Sequence, residues 1–293
     1  MKTPRTHASA APLVGAALFC LAHTACSREH PAPAPSEAST RPSESAAVTG
    51  ASPVSADAAS SSPVGEAQQP AAEAPKPVAP PDMYGSCEPG EGGSGKTYMG
   101  REIAEVMGHF GVGWLERPER EREERTDLLV NALKLKATDA VADIGAGSGY
   151  FTMRISPLVP EGVVYATDIQ QEMLDIVEER ALEDGALNVM PVLGEIDHCG
   201  LEANSVDVVL FVDAYHEFSH PWEMMTSIVR ALKPGGRVYL VEYRLEDPTV
   251  PIKERHKMSE EQARREMAAV GLSFVENLAI LPQQHIMVFA RGG

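Results

Sequence analysis

From residue 137 onward the chain repeats one unit, an apolar β-rich run, a turn and a helical stretch, and few folds accept that repeat. The runs are AVADI (140–144), VVYAT (163–167), VMPVL (189–193), VDVVLFV (206–212) and RVYLVEY (237–243). They are nearly continuous in apolar residues rather than alternating, which suits strands covered on both faces. Helical patterns fill 149–158, 170–183 and 221–232, and KPGG (233–236) reads as a helix stop that turns into the next strand. A further helix starts at SEEQ, where Ser259 and Gln262 have capping-box spacing, and runs to about Val270; strands near 273–280 and 285–291 close the chain. The expectation is an α/β three-layer domain with a mostly parallel, seven-stranded sheet and helices on both faces.

Two glycine loops compete for the role of ligand cradle. GEGGSGKT (90–97) fits the phosphate-loop pattern G-x-x-x-x-G-K-[ST]. That pattern works only where a buried strand enters the loop and a helix leaves it. PPDMYGSCEP precedes it, with no such strand, so a flexible glycine linker is expected there instead. VADIGAGSGYFT (141–152) does follow a strand and open a helix, with Gly145, Gly147 and Gly149 spaced G-x-G-x-G. A dinucleotide turn prefers G-x-G-x-x-G, and the third position is Tyr150 here. Nineteen residues past Gly149 stands Asp168, whose carboxylate can accept both hydroxyls of a ribose. These residues alone leave a nicotinamide dinucleotide and S-adenosylmethionine both open.

The composition is uneven. Residues 27–82 contain no Phe, Trp, Tyr, Leu, Ile or Met and cannot bury enough apolar surface to offset chain entropy. A disordered linker is expected over 27–96 and a folded domain over 97–293. Lys2, Arg5 and His7 precede the apolar run APLVGAALFCLA (11–22), as in an export signal. HTAC then puts Cys26 where bacterial lipoproteins carry their lipid, although His23 replaces the usual apolar residue. A membrane tether through lipidated Cys26, and so a cell-envelope location, is the expectation. A simply cleaved signal and cytoplasmic retention are the alternatives. Cys87 and Cys199 remain, with no C-x-x-C pair or Cys/His cluster of metal-ligand spacing, so no metal ligand is assigned. A formal net charge of −17 disfavours a nucleic-acid substrate. In ERPEREREER (116–125), Glu116 with Arg120 and Glu121 with Arg125 have i,i+4 spacing and read as a solvated helix face, or else as a cap reaching a substrate.

The ordered set DIGAGSG, YATDIQQEML, GEIDHCGLEANSVDVVL and LKPGGRVYLVE resembles the motifs of class I S-adenosylmethionine-dependent methyltransferases. The resemblance covers about residues 97–293 and is nearest the broad group that includes ubiquinone and menaquinone biosynthesis methyltransferases. WLERPERE, DAYHEFSHP and VPIKERHKM are similar to segments of an uncharacterised bacterial methyltransferase-domain group. The resemblance implies a Rossmann-like methyltransferase fold, S-adenosylmethionine as cofactor and a small-molecule methyl acceptor. It places Asp143 at the loop, to orient it or meet the methionine ammonium. Gly145, Ala146, Gly147 and Gly149 would form the loop along the methionine and ribose, and Asp168 would hold the ribose hydroxyls. Ile169 would pack on adenine, Glu195 and Ile196 would address its edge, with Asp197 a one-residue competitor, and Asp213 would lie beneath the sulfonium.

The segment DAYHEFSHP (213–221) falls where a substrate should lie. Of its Tyr215, His216 and Glu217, His216 is the one that titrates near neutrality, a candidate base or substrate ligand, and Tyr215 is a candidate wall of the methyl channel. Residues 98–118 and 242–258 are expected to cover the site, making Trp114, Glu242, Arg244, His256 and Lys257 substrate-side candidates. His285 reads as a satisfied core or edge residue. A tethered, inactive binding protein of the same fold is the rival reading.

Overall fold

Strand residues of the main sheet alternate between two cores. Ala142, Ile144, Val209, Phe211, Val238 and Leu240 belong to one buried cluster; Val141, Val208, Leu210, Tyr239 and Val241 belong to the other. Successive side chains of a strand point to opposite faces, so this partition means that both faces are covered. The computed structural model describes residues 78–292, so the expected signal, Cys26 and the linker up to residue 77 lie outside the described residues.

Three antiparallel strands come first: β1 (Tyr84–Ser86), β2 (Gly93–Tyr98) and β3 (Arg101–Ala104). Short helices α1 (Val112–Leu115), α2 (Arg120–Glu124) and α3 (Thr126–Ala132) follow. The central run is β4 (Ala140–Ile144), α4 (Tyr150–Ile155), β5 (Val163–Asp168), α5 (Gln171–Asp184) and β6 (Val189–Leu193). Next come β7 (Val206–Val212), α6 (Pro221–Ala231) and β8 (Leu232–Arg244). The chain ends with β9 (Lys257–Met258), α7 (Glu260–Ala269), β10 (Leu272–Asn277) and β11 (Gln284–Arg291).

The main sheet has the order β6-β5-β4-β7-β8-β11-β10, with two-residue β9 pairing on β8. Neighbours from β6 to β8 are parallel, whereas β11 runs antiparallel to β8, and β10 to β11. Met224, Ile228, Ala263 and Met267 of α6 and α7 pack on one face, and Leu129, Tyr150, Phe151 and Ile155 of α3 and α4 on the other. This is the expected three-layer α/β fold. Ser259 caps α7 by accepting from Gln262 N at 3.2 Å, as its spacing predicts. α6 stops at Ala231, just before KPGG, and those four residues are taken into β8. Leu232 pairs with Val206 and Arg237 with Val208, so the Pro-Gly-Gly stretch is taken up as a bulge, with Gly235 at φ 74°.

The expected linker and domain boundary need correction. Residues 84–96 do not belong to a linker, because they supply β1 and most of β2, so folded structure begins before residue 97. Tyr98, Ile103 and Ala104 bury the apolar part of this small sheet, and an anion ties its loop. Glu102 accepts from Gly90 N (3.0 Å) and Gly95 N (3.1 Å), and Arg255 Nε donates to it at 2.5 Å. The phosphate-loop pattern therefore wraps a carboxylate of its own chain. Its lysine is also engaged, with Lys96 Nζ 2.6 Å from Ser219 O and 4.8 Å above the Tyr84 ring. Tyr84 donates to Glu223 (2.5 Å) on α6. Arg101 makes a two-pronged ion pair with fully buried Glu266 of α7 (2.9 and 3.0 Å) and reaches His216 O at 3.2 Å. The small sheet thus staples the segment after β7 in place.

Candidate active site

Strand order reverses between β4 and β7, and a crevice opens outside the carboxyl ends of strands at such a point. The main cleft lies there. It is lined by Gly145 and Gly147 after β4, Thr167 and Asp168 ending β5, Gly194 after β6, and Val212 and Asp213 at the end of β7. The free space is about 890 Å³ including its open mouth, enough for a nucleoside-sized ligand. The glycines are required by shape. Gly145 (φ 69°) and Gly147 (φ 54°) lie in the left-handed region, and a Cβ on either would come within 2.7 Å of Ala214 or Leu115. Asp168 is buried, with Oδ2 accepting from Gly147 N (3.0 Å) and Oδ1 from Gln170 N (2.9 Å). Burial raises its pKa against the lowering by those amides. Each oxygen still has a lone pair for a ligand.

A second chamber adjoins the cleft, and Met107, Leu115, Val212, Asp213 and Glu217 line both. Its chemistry is concentrated on one wall. His216 Nδ1 lies 2.6 Å from Glu242 Oε2, and Glu242 is fully buried on β8. His216 Nε2 lies 3.1 Å from His256 Nδ1 and 3.8 Å from Glu217 Oε1. Burial works against a charged His216 ring, but the Glu242 carboxylate outweighs it and raises the pKa. His256 moves the opposite way, down to about 4, through burial and the neighbouring His216. Burial raises Glu217. Asp213, at φ 51°, accepts from Gln284 Nε2 (2.6 Å), and burial, then Glu124 and Glu242, push it well above the carboxylate range.

Comparison with known proteins gives this site a family likeness. Residues 141–236 match the family described as methyltransferase domain. The comparisons support a class I methyltransferase domain over this stretch. S-adenosylmethionine is the cofactor of that class. A methyltransferase-like protein of Schizosaccharomyces pombe, itself uncharacterised, is 35% identical over 126 residues, covering 43% of this chain and 46% of the relative. A ubiquinone/menaquinone biosynthesis C-methyltransferase of Ectopseudomonas mendocina is 33% identical over 105 residues, 35% and 41% of the two chains. The chain spans about half the length of the curated relatives it matches. A methyltransferase of Aquifex aeolicus superposes with a TM-score of 0.60 at 22% identity, over 63% of this chain and 99% of that one, a likeness of fold.

The methyltransferase domain places the expected residues unequally. Gly145, Gly147, Asp168, Ile169, Ile196 and Asp213 line the cleft; Ala146, Gly149, Glu195 and Asp197 do not. Gly149 begins α4, donating to Ala146 O at 2.9 Å, and Glu195 forms a bridge with His198. Asp143 faces inward and accepts from Thr152 Oγ1 at 2.6 Å, which makes it a brace for the loop. Tyr215 lines neither chamber. It is fully buried against Phe211 and Phe218, with Arg101 5.6 Å from its ring, so packing replaces the expected channel role. Trp114 and His256 line the second chamber, and Glu242 stands behind His216. Arg244 instead donates to Leu281 O and Pro282 O, and Lys257 to Val250 O. His285 is satisfied by Asn277 and Glu246.

The charged run 116–125 is solvated on one side, with Glu121 and Arg125 exposed, and turned inward on the other. Arg120 and Glu124 are buried and pair at 3.0 Å, while Arg117 (2.6 Å) and Tyr243 (3.0 Å) also donate to Glu124. Glu116 reaches Arg180 rather than Arg120. Arg120, Glu124 and Tyr243 line the second chamber, a role that helical spacing alone did not reveal.

Asp143 yields a stability prediction. Burial raises its pKa to about 6. Between its ordinary value and 6 the folded state binds more protons than the unfolded one, so stability falls as pH rises through that window, by up to about 3 kcal/mol. Asp143→Asn keeps an acceptor for Thr152 and is expected to gain on the parent as pH rises from 4 to 7. Thermal melts of both proteins at several pH values test this, and a pH-independent difference would refute it.

Proposed function

We propose that this chain transfers a methyl group from S-adenosylmethionine to a small molecule held in the second chamber. The shared wall between the chambers carries the reading, because it brings a donor in the cleft edge to edge with an acceptor beyond it. When bound, the donor supplies an electrophilic methyl on a sulfonium. Asp168 takes the ribose hydroxyls through its remaining lone pairs. Ile169 and Ile196, apolar side chains 39% and 53% exposed, close on the adenine faces, which accounts for their exposure. Asp213 sits where the chambers meet, and burial there disfavours its charged form. Met107 and Leu115 form a roof over both spaces and exclude water. The second chamber's histidine and glutamate wall faces the acceptor.

Calorimetric titration of the full chain tests the donor half. S-adenosylmethionine is expected to bind with a Kd on the order of 1–10 μM, about −7 to −8 kcal/mol, with no binding of NADH or ATP. Preferential NADH binding would overturn the reading. Formation of S-adenosylhomocysteine with acceptor pools separates an enzyme from a binding protein.

A further inference from the structure

The second chamber contains three ligand-type atoms at one spot: His216 Nε2, His256 Nδ1 and Glu217 Oε1. They are 3.1, 3.7 and 3.8 Å apart. A triangle with those sides has a centre about 2.1 Å from every corner, the distance of a divalent ion from imidazole nitrogen and carboxylate oxygen. A hydrogen-bonded pair of histidines accounts for the 3.1 Å contact, but not for a carboxylate nearly equidistant from both nitrogens. The supporting group is also present. Glu242 Oε2 lies 2.6 Å from His216 Nδ1, fully buried, and its Oε1 accepts from His216 N at 3.2 Å. A carboxylate on the far nitrogen fixes the ring and its tautomer, leaving Nε2 to ligate.

We propose that His216, Glu217 and His256 bind one divalent transition-metal ion, of the zinc or iron(II) class, on the wall of the second chamber. Two imidazoles and one carboxylate favour such ions over magnesium or calcium, which take all-oxygen sets. The three side chains leave coordination positions open, and Met107, Trp114, Leu115, Pro251 and Ile252 give the adjoining space apolar walls. The ligands come from two segments, His216 and Glu217 after β7 and His256 before β9, so binding would tie the covering segment to the sheet end.

The test uses untagged full-length chain, stripped with a chelator and titrated with Zn²⁺ by calorimetry and with Co²⁺ by visible absorption. One equivalent per chain is expected, with d–d bands from a bound Co²⁺. His256→Ala is expected to weaken Zn²⁺ binding at least 100-fold, and Glu217→Gln at least tenfold. Glu242→Gln, which touches no ion, is expected to cost 10–100-fold through His216. His198→Ala, a histidine outside the chamber, serves as control and leaves affinity unchanged. Circular dichroism checks folding; His256 is the most exposed of the three ligands and the safest to change. Absence of a stoichiometric site, or a site indifferent to His256→Ala and Glu217→Gln, would overturn the proposal. Neither readout requires methyl transfer or donor binding.

Discussion

Asp168→Ala is expected to weaken S-adenosylmethionine binding by about 30- to 1,000-fold while leaving the fold intact. The carboxylate is the acidic group at the cleft end of β5, and its oxygens are already oriented by Gly147 N and Gln170 N. A charge-assisted hydrogen bond is worth about 1.5–3 kcal/mol, and two ribose hydroxyls sharing one carboxylate lose less than twice that, about 2–4 kcal/mol. The effect on stability should be small, because burial raises the pKa of this carboxylate and so opposes its ionised form in the free protein. Loss of binding with a melting temperature within a few degrees of the parent is the expected pair of results. Calorimetry and a thermal melt on the same sample provide both. Unchanged affinity would remove Asp168 from the donor site and with it the proposed orientation of the ligand.

Arg101→Met is expected to destabilise the protein by about 3–5 kcal/mol, the range for leaving a buried carboxylate without its partner. Glu266 is fully buried and receives both prongs of the guanidinium; apart from Arg101 it is bonded by Gln262 Nε2 at 2.6 Å. For a folded part of this size the cost corresponds to a drop in Tm of about 6–20 °C. Removing both charges, with Arg101→Met and Glu266→Met together, is expected to recover most of the loss. Scanning calorimetry of the two variants decides the matter. A single variant within 1 kcal/mol of the parent would show that the small sheet docks without this pair.

Strands β4, β5, β7 and β8 and their helices were legible in the sequence because they bury apolar surface at their own periods, and β6 was legible from its apolar run although Met190 and Leu193 stay about half exposed. Asp168 was legible because its spacing from the glycine loop is fixed by one β-α-β unit. The small N-terminal sheet was not legible. Its strands hold few apolar residues, and Glu102 and Arg101 tie it to Arg255 and Glu266, far along the chain. The Met99-Gly100 turn, with φ of 47° and 88°, was its local signal, a two-residue hairpin in which only the second residue is a glycine. The burial of Arg120 and Glu124 was hidden for a related reason: helical spacing pairs charges without saying which face turns inward. His256 lies 40 residues from His216, a separation that no ligand-spacing rule covers. The fold brings them together.

The glycine loop at 90–97 shows how a nucleotide motif can be filled from within. Glu102 lies only twelve residues from Gly90 and seven from Gly95. A tethered competitor so close has an effective concentration in the millimolar range or above. Any free phosphate would have to evict it and break its bond to Arg255 as well. The loop is thus a lock already holding its key, and an added nucleotide meets it as a closed surface.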